Sequence, residues 1–319
     1  MGILAGNRRN GGGSNRFLFL LMLAGIGLFL HYSEKKQPWQ SLKNDISGLF
    51  GRGPETTAGK KDGPLPRHRD PDDTAAFDNP QDAPEENPES EATAGTDLDA
   101  YLPAFKASAQ VIRHPGYVLR YEEEYEQAGW VVHRLPDKTG KARRSDRFMP
   151  DPLVETGSAL PSDYARTGYD RGHLAPAGDF KYNQQLMYES FYMSNMSPQA
   201  HAFNTGIWSD IEQKVRSWSR RYGPLIIVTG PVLKPGLPTI GRSTRIAVPG
   251  QYYKIVYDPD RQKAIAFLIE NEGLVNVLLR DFTVSVDDVE RATGIDFFAR
   301  LPDPLERDLE SQHQVDDWF

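Results

Sequence analysis

The feature that most limits how this chain can fold is a long segment with almost no aromatic or branched apolar side chains. Residues 52–98 are rich in Pro, Gly, Asp, Glu, Ala and Thr, and Phe77 is their only aromatic residue. Such a segment cannot bury enough surface to offset the conformational entropy that ordering would remove. We therefore expect a disordered, acidic, proline-rich tether over residues 33–99, and a folded domain that begins near residue 100.

Residues 17–32 predict a membrane segment. They carry no charge, consist mainly of Leu, Phe, Ile, Gly and Ala, and follow three arginines within residues 1–16. The run is slightly short for a spanning helix and long for the core of a signal peptide. Because no convincing small-residue cleavage site follows, an uncleaved anchor is favoured over a removed signal peptide. The arginines favour a cytoplasmic N-terminus, which would place the rest of the chain outside.

Charge is distributed unevenly along the chain. The formal net charge is −7, yet residues 51–100 alone hold five Lys or Arg against thirteen Asp or Glu. The predicted domain over residues 100–301 is close to neutral, and an acidic tail follows at 302–319. Overall acidity therefore does not exclude nucleic acid as a ligand, because local basic groups and a metal set the affinity for phosphate. The tail is expected either to be disordered or to shield a basic face. The absence of cysteine excludes disulfides and thiolate metal sites.

Short apolar runs separated by turn residues predict strands from residue 101 onward. The predicted strands are residues 118–121, 129–135, 225–229, 252–257 and 264–269. Helices interrupt this pattern: apolar residues three and four apart predict one over 204–222, and Ser285 is expected to cap another that ends near Gly294. The predicted class is α+β, with a mostly antiparallel sheet flanked by helices.

The segment of residues 170–180, D-R-G-H-L-A-P-A-G-D-F, carries the most chemical information. His173 belongs to the residue type that titrates near neutral pH and can take a proton from water, while the guanidinium of Arg171 can hold a phosphate oxygen. Gly172 between them is expected to let the backbone bulge or approach a ligand closely. These residue types suit phosphodiester cleavage. Alone, they also fit a surface ion pair beside a core histidine.

Further segments downstream favour the chemical interpretation. S-N-M-S-P-Q occupies 194–199, N-T-G-I-W occupies 204–208, and Glu212 and Arg216 follow. In this order and spacing the segments resemble the DNA/RNA non-specific endonuclease family, the ββα-metal nucleases that include endonuclease G. The resemblance extends over residues 100–301 and includes neither the N-terminal third nor the acidic tail. It implies a ββα-metal active-site motif within the α+β fold.

The resemblance assigns a role to each matching residue. It makes His173 the general base, Asn204 the direct protein ligand of Mg²⁺, and Glu212 an outer-shell carboxylate that orients metal-bound water. Arg171 and Arg216 would contact the phosphate of the substrate. Mg²⁺ prefers oxygen ligands and keeps several waters, so one amide oxygen and the substrate phosphate are enough to hold it. Mn²⁺ is expected to substitute for Mg²⁺.

Several of these residues also have structural interpretations. Asn195 either supports the site through hydrogen bonds or satisfies the backbone of a turn. Asn204 alone fits a helix N-cap, and Glu212 with Arg216 fits a surface ion pair four residues apart. Along the predicted helix Glu212 lies eight and Arg216 twelve residues after Asn204. The three therefore drift around one side of the helix and could face one ligand.

Other residues near the motif are weaker candidates. Asp170 either positions its strand or pairs with a surface base. Asp179 fits an ordinary turn carboxylate better than an anchor of the segment after the histidine. His201 is not expected to be a ligand, because the matching pattern needs only an amide in this region. A basic cluster at residues 143–147 either follows the nucleic-acid backbone or lies in a solvated loop.

The leading hypothesis is a membrane-tethered, Mg²⁺-dependent, sugar-non-specific endonuclease that cuts DNA and RNA to 5′-phosphate products. An alternative from another class is a catalytically silent relative that binds nucleic acid or a protein partner through the same fold. A third hypothesis is a different metallophosphoesterase with Asp170, His173 and Asp179 as direct ligands.

Partners and location follow from the same two features. Under the endonuclease hypothesis, DNA and RNA are the substrates, and the protein binds them through phosphate contacts. The resemblance also implies a homodimer. Residues 17–32 would hold the protein in a membrane with the nuclease domain outside the cytoplasm. A bacterial envelope is preferred to the mitochondrial inner membrane, because no clear transit peptide precedes the segment.

Overall fold

An antiparallel sheet of seven strands forms the centre of the fold. The computed structural model describes residues 98–319. The predicted anchor at 17–32 lies outside the described residues, and so does the tether except for its last two positions. Leu98 is buried in the core, so the folded region begins slightly before the predicted boundary. Within residues 98–319 no helix has the length and hydropathy that a membrane span requires.

The strands of the described residues are β1 Gln110–Arg113, β2 Tyr117–Glu122, β3 Gln127–Leu135, β4 Tyr169–His173, β5 Met196–Ala200, β6 Leu225–Pro231, β7 Thr239–Ile240, β8 Ile246–Ala247, β9 Gln251–Asp258, β10 Lys263–Glu270 and β11 Thr283–Val284. The central sheet has the order β1-β2-β3-β6-β9-β10-β11, with all neighbours antiparallel. β4 pairs with β5 in a separate ribbon, and β7 pairs with β8.

The α-helices of the described residues are α1 Gln184–Glu189, α2 His201–Phe203, α3 Ser209–Tyr222, α4 Val286–Thr293 and α5 Asp303–Ser311. A π-helical turn, Asn204–Trp208, joins α2 to α3. The predicted α+β class with a mostly antiparallel sheet is therefore confirmed. The predicted cap of α4 is confirmed as well, because Ser285 forms a capping box and Gly294 ends the helix at φ 71°.

Both faces of the central sheet are buried. On β2, Leu119 packs in one apolar cluster with Ile211 of α3, while its neighbour Val118 packs in a second cluster with Val289 of α4. Successive side chains of a strand point to opposite faces. A strand buried on both faces is therefore mainly apolar along its length, which explains the run at 225–229 that predicted β6.

The C-terminal segment, residues 302–319, is folded against the domain, so the prediction of a disordered tail is wrong. Trp318 is 1% exposed, and its ring centroid lies 5.0 Å from that of Trp218 on α3. The indole nitrogen of Trp218 donates a hydrogen bond of 2.6 Å to the carbonyl oxygen of Trp318. Asp317 forms an ion pair with Lys263 of β10. Aromatic burial thus holds the acidic tail, which covers basic side chains of the sheet.

Acidic side chains gather where α4 packs against α5. The group consists of Asp287, Glu290, Asp296, Glu306 and Glu310. Burial and the neighbouring carboxylates raise the pKa of Glu310 to about 8. An acid whose pKa is higher in the folded state than in the unfolded state reduces stability as pH rises from its ordinary value to the raised value. Ionisation of Glu310 should therefore weaken the fold progressively as pH rises from the ordinary pKa of the carboxyl to about 8.

We expect Glu310→Gln to raise the melting temperature at pH 8 and to leave it nearly unchanged near pH 4, because the uncharged amide removes the repulsion that ionisation creates. Thermal melts across this pH range measure the effect. Asp308→Asn, at an exposed position of the same helix, serves as the control and should change little. Equal slopes of melting temperature against pH for Glu310→Gln and the unmodified protein would contradict the prediction.

Candidate active site

The ribbon of β4 and β5 leads directly into the helical segment 201–222, and together they form a ββα unit. The two strands pair antiparallel from Tyr169 opposite Ala200 to His173 opposite Met196. The five predicted residues that lie on this unit are Arg171, His173, Asn204, Glu212 and Arg216. The fold therefore brings residues from a strand and from a helix into one structural motif.

Gly172 allows close packing within this ribbon. Its pairing with Ser197 is regular, so the predicted bulge is absent from β4. A Cβ atom at this position would lie 2.2 Å from the side chain of Gln199. Gln199 is fully buried. Glycine at position 172 therefore allows the side chain of Gln199 to pack closely against the backbone of β4.

His173 lies in an aromatic pocket at the end of β4. The centroid of its ring is 4.8 Å from that of Phe191 and 5.8 Å from that of Phe148. Its Nε2 is buried and has no hydrogen-bond partner among the described residues. Burial, reinforced by the charges of Arg144 and Arg171, lowers the pKa of His173 to about 3. The imidazole is therefore neutral near pH 7 and able to accept a proton.

Two arginines lie around this histidine. The Cζ atom of Arg171 is 4.3 Å from the ring centroid of Phe148, and that of Arg144 is 5.0 Å from the centroid of Phe191. These are distances at which a cation and an aromatic face attract each other. Of the basic cluster at residues 143–147, Arg144 lies near enough to lower the pKa of both His173 and Glu212.

Asn195 fixes the backbone that follows the histidine. Its Oδ1 accepts a hydrogen bond of 2.9 Å from the amide of Ala175, and its Nδ2 donates to the carbonyls of Ala175 and Ser190. The residue is fully buried. With both amide hydrogens engaged, Asn195 has no donor left for a substrate. These hydrogen bonds make Asn195 a support of the backbone at Ala175 and Ser190, and its part in the reaction stays a prediction.

The helix predicted over 204–222 begins three residues earlier and is not a continuous α-helix. In a straight α-helix, Glu212 and Arg216 would be rotated from Asn204 by about 80° and about 120°. The π-helical turn at Asn204–Trp208 contains an extra residue. Gly206 within this turn has non-helical backbone angles, φ −99° and ψ −116°, so a kink separates Asn204 from the helix that carries Glu212 and Arg216. The relative directions of the three side chains therefore do not follow from regular helical spacing.

Asn204 and two neighbours form a small polar cluster beside the ribbon. Nδ2 of Asn204 donates to Oδ2 of Asp170 at 2.9 Å, and Nδ1 of His201 lies 3.0 Å from the same oxygen. Asn204 has helical backbone angles, φ −58° and ψ −48°. The interpretation of Asn204 as an N-cap is therefore wrong.

A buried lysine that the sequence interpretation missed lies near Glu212. Lys254 of β9 is 1% exposed, its Nζ donates to Oγ1 of Thr229 at 2.7 Å, and it lies 4.7 Å from the ring centroid of Trp208. Burial raises the pKa of Glu212 to about 7, and the charge of Lys254 opposes this rise. Burial lowers the pKa of Lys254 to about 8, against the effect of Glu212. The sequence contained one indication of this buried lysine, namely its position inside the apolar run at 252–257.

Asp179 holds Arg216 in place. One carboxylate oxygen of Asp179 accepts a hydrogen bond of 2.9 Å from Nη1 of Arg216, and the other lies 2.9 Å from Nε2 of His133. The same Nη1 is 3.7 Å from Glu212. Although burial alone would raise it, the contacts with His133 and Arg216 lower the pKa of Asp179. The interpretation of Asp179 as an ordinary turn carboxylate is wrong.

These contacts bear on the hypothesis of a metal site formed by Asp170, His173 and Asp179. Asp170 contacts Asn204, whereas Asp179 contacts His133 and Arg216. Within the described residues the three proposed ligands do not form a cluster with the spacing of metal ligands. The structure therefore does not support this arrangement.

On the endonuclease hypothesis, in which Arg216 contacts phosphate, we expect Asp179→Asn to lower kcat/KM for nucleic-acid cleavage about 10-fold, because Arg216 loses the carboxylate that orients it. Steady-state rates on a defined oligonucleotide would measure this. The matched control is Asp210→Asn, an exposed acid on α3. An Asp179→Asn protein as active as the control would show that the orientation of Arg216 does not matter.

Comparison with known proteins adds a family context to this geometry. The model of the family described as DNA/RNA non-specific endonuclease matches residues 96–304. The solved structure described as the EndoG/EndoGI complex, with the subject of EndoG inhibition, aligns with a TM-score of 0.59 and 28% identity. The alignment covers 66% of this chain and 92% of that one. The likeness extends over the part of the chain that contains the ββα unit.

Curated relatives match the same part of the chain. "Nuclease EXOG, mitochondrial" of Danio rerio is 35% identical over 207 residues, which cover 59% of this chain and 60% of that protein. "Mitochondrial nuclease" of Saccharomyces cerevisiae is 33% identical, with 58% and 64% covered. "Nuclease C1" of Cunninghamella echinulata is 34% identical, with 60% and 83% covered. The chain thus spans less than two thirds of the length of the first two relatives.

Proposed function

Because the chain belongs to the DNA/RNA non-specific endonuclease family, we propose that it is a metal-dependent endonuclease that hydrolyses phosphodiester bonds of DNA and RNA to 5′-phosphate products. One observation carries this proposal: β4 holds the neutral base His173 beside Arg171 and, at its other end, Asp170 in contact with Asn204. A base, a phosphate-binding cation and an oxygen donor for a metal are the groups that metal-assisted hydrolysis requires.

The proposed division of labour begins with proton transfer and phosphate binding. We assign to His173 the transfer of a proton from the attacking water, because its imidazole is neutral near pH 7. Arg171 and Arg216 bind the oxygens of the scissile phosphate. Because Asp179 holds the guanidinium of Arg216 in advance, little orientation is left to be lost when the substrate binds.

Two oxygen-bearing side chains of the helical segment are suited to a hard divalent cation. Asn204 offers an amide oxygen, and Glu212 offers a carboxylate that is 17% exposed. We assign Asn204 as the direct ligand of Mg²⁺ and Glu212 as an outer-shell carboxylate that orients water, with Mn²⁺ as a substitute. When bound there, the cation stabilises the negative charge that develops on the leaving 3′ oxygen.

Breadth of substrate follows from the same groups. The proposed contacts reach phosphate oxygens and water and include no side chain that reads a base edge. The enzyme should therefore cut DNA and RNA alike.

Digestion of supercoiled plasmid and of structured RNA by the purified full chain tests this function. With Mg²⁺ both substrates should be degraded to fragments that carry 5′-phosphates, and EDTA should abolish the reaction. Tight binding without cleavage in Mg²⁺ and in Mn²⁺ would refute the proposal. That outcome would favour the alternative, a catalytically silent protein of the same fold that binds nucleic acid or a protein partner.

The proposed setting is a membrane surface outside the cytoplasm, with residues 17–32 as the anchor and 33–99 as the tether of the nuclease domain at 100–301. Relatives that are described as mitochondrial support the mitochondrial inner membrane as an alternative to a bacterial envelope. Protease added to intact and to osmotically opened cells or organelles would reveal on which side the domain lies. Light scattering of the detergent-solubilised chain would test the proposed homodimer.

A further inference from the structure

The proposed role of Asn204 requires its side-chain amide to have one particular orientation. An asparagine side chain ends in an oxygen and an amino group of nearly equal size, and a half-turn about the last side-chain bond exchanges them. Only the oxygen can bind a cation. A residue that selects one of these two orientations would therefore control metal binding without contacting the metal.

Asp170 is placed to select the orientation of the Asn204 amide. Nδ2 of Asn204 donates to Oδ2 of Asp170 at 2.9 Å. A carboxylate can only accept hydrogen bonds, so it pairs with the Nδ2 of Asn204, which is a donor. It repels Oδ1, which is also an acceptor. Asp170 is itself held in the ribbon, opposite Gln199 of β5. Oδ1 of Asn204 is thus turned away from Asp170.

His201 contacts the carboxylate of Asp170 from the solvent side. Its Nδ1 lies 3.0 Å from Oδ2 and 3.2 Å from Oδ1 of Asp170. Because a carboxylate only accepts, Nδ1 must be the donor. The side chain of His201 is 74% exposed and that of Asp170 30% exposed. The histidine therefore limits rotation of Asp170 at the solvent edge.

We infer that Asp170 is a positioning residue, which holds the amide of Asn204 with Oδ1 free for the metal, and that His201 braces Asp170 in this task. The inference rests on the proposed function, in which Asn204 is the direct ligand. It goes beyond that function because the orientation of Asn204 is set by a hydrogen bond to Asp170, a residue that does not itself bind the metal.

Two substitutions of similar size separate this role from a purely electrostatic one. Asp170→Asn and Asp170→Leu both remove the negative charge, but only asparagine keeps an acceptor for Nδ2 of Asn204. A long-range effect of charge on the metal would be the same in both variants. An effect through orientation would be larger in Asp170→Leu.

The first measurement observes the orientation in the absence of metal. In a ¹H–¹⁵N NMR spectrum of the full chain, the side-chain NH₂ signals of Asn204 are assigned by their loss in Asn204→Ala. The proton that faces Asp170 should be shifted downfield and exchange slowly in the wild type and in Asp170→Asn. It should resemble a free amide in Asp170→Leu. Unchanged signals in Asp170→Leu would overturn the inference.

The second measurement is the affinity for Mn²⁺, followed by its electron paramagnetic resonance in the absence of substrate. We expect Asp170→Leu to bind Mn²⁺ about 10-fold more weakly than Asp170→Asn, and His201→Ala to lose about 3-fold relative to the wild type. Equal affinities of the two Asp170 variants would overturn the inference, provided that thermal melts show both to be folded.

Failure of the inference and failure of the proposed function give different results. A wild-type chain that binds Mn²⁺ and cleaves nucleic acid, together with equal Asp170 variants, overturns the positioning role alone. A wild-type chain that neither binds Mn²⁺ nor cleaves overturns the proposed function, and the metal-related part of the inference with it.

Discussion

Replacing His173 by alanine is expected to lower kcat for cleavage of DNA and RNA by about 10²- to 10⁴-fold. The imidazole is the base that we assign to the attacking water, and no second histidine contacts the pocket of Phe148 and Phe191 in the described residues. Steady-state cleavage of a labelled oligonucleotide at saturating Mg²⁺ measures the effect. Because the buried Nε2 of His173 has no hydrogen-bond partner among the described residues, the fold should not depend on that atom.

The pH dependence of the wild type gives an independent view of this residue. A histidine with a pKa of about 3 is already neutral at every pH above about 4. Protonation of His173 should therefore not limit the rate between pH 5 and 8, and any decline toward acid in this range has another origin. A rate that falls with the ordinary pKa of histidine and loses this fall in His173→Ala would show that the pocket does not depress the pKa.

The matched control for His173→Ala is His313→Ala. His313 is a partly buried histidine whose Nε2 lies 2.9 Å from the hydroxyl of Thr283. It should retain full activity. A His173→Ala protein that keeps more than about a tenth of kcat, with the melting temperature of the wild type, would exclude His173 as the general base.

Lys254→Met should have the second large effect, on stability and activity together. Lys254 is 1% exposed, and its charge favours the ionised form of Glu212. Removal of one member of a buried charge pair typically costs several kcal/mol. Without this charge the ionised form of Glu212 loses a compensating neighbour, so we expect the free energy of unfolding to fall at pH 8. Urea unfolding measures this change.

The same substitution should shift the pH dependence of the reaction. The pKa of Glu212 is about 7, raised by burial and held down by Lys254. Without the lysine its pKa rises further, so the carboxylate ionises only at higher pH and is protonated near neutrality. The acidic limb of the profile of kcat/KM against pH should therefore move upward in Lys254→Met.

Two further variants test whether the effect of Lys254→Met comes from its interaction with Glu212. The double variant Lys254→Met/Glu212→Gln contains neither charge and should recover much of the lost stability while staying inactive. Lys263→Met removes a more exposed lysine that pairs with Asp317, and it should lose at most about 1 kcal/mol. An unshifted acidic limb in Lys254→Met would mean that the lysine does not act on Glu212.

Much of the fold could be predicted because its signals are local. The strands β2, β3, β6, β9 and β10 appear as apolar runs, and Ser285 and Gly294 mark the ends of α4. Side-chain periodicity and capping depend on residues within a few positions of each other, so the sequence contains the information directly. The motif around His173 likewise identified the residues that the ββα unit later brought together.

Other parts of the site could not be predicted, because they depend on contacts between distant residues. Asp179 meets His133, which lies 46 positions earlier, and Lys254 reaches Thr229 across neighbouring strands. The sequence interpretation did not predict how the acidic tail packs, and in the structure Trp318 lies against Trp218. A long-range contact has no local signature, since its partners are selected only when the sheet and helices pack.

The sequence by itself determined the class of fold, the family resemblance and the residues that were proposed as base, ligand and phosphate contacts. Only the tertiary structure decided how these residues are held. A kinked π turn at Asn204–Trp208 precedes the helix that carries Glu212, Asp170 accepts a hydrogen bond from the amide of Asn204, and Asp179 accepts one from Arg216. The physical reason is that residue type sets which chemistry is available, whereas orientation and pKa depend on the charges, hydrogen bonds and burial that packing creates.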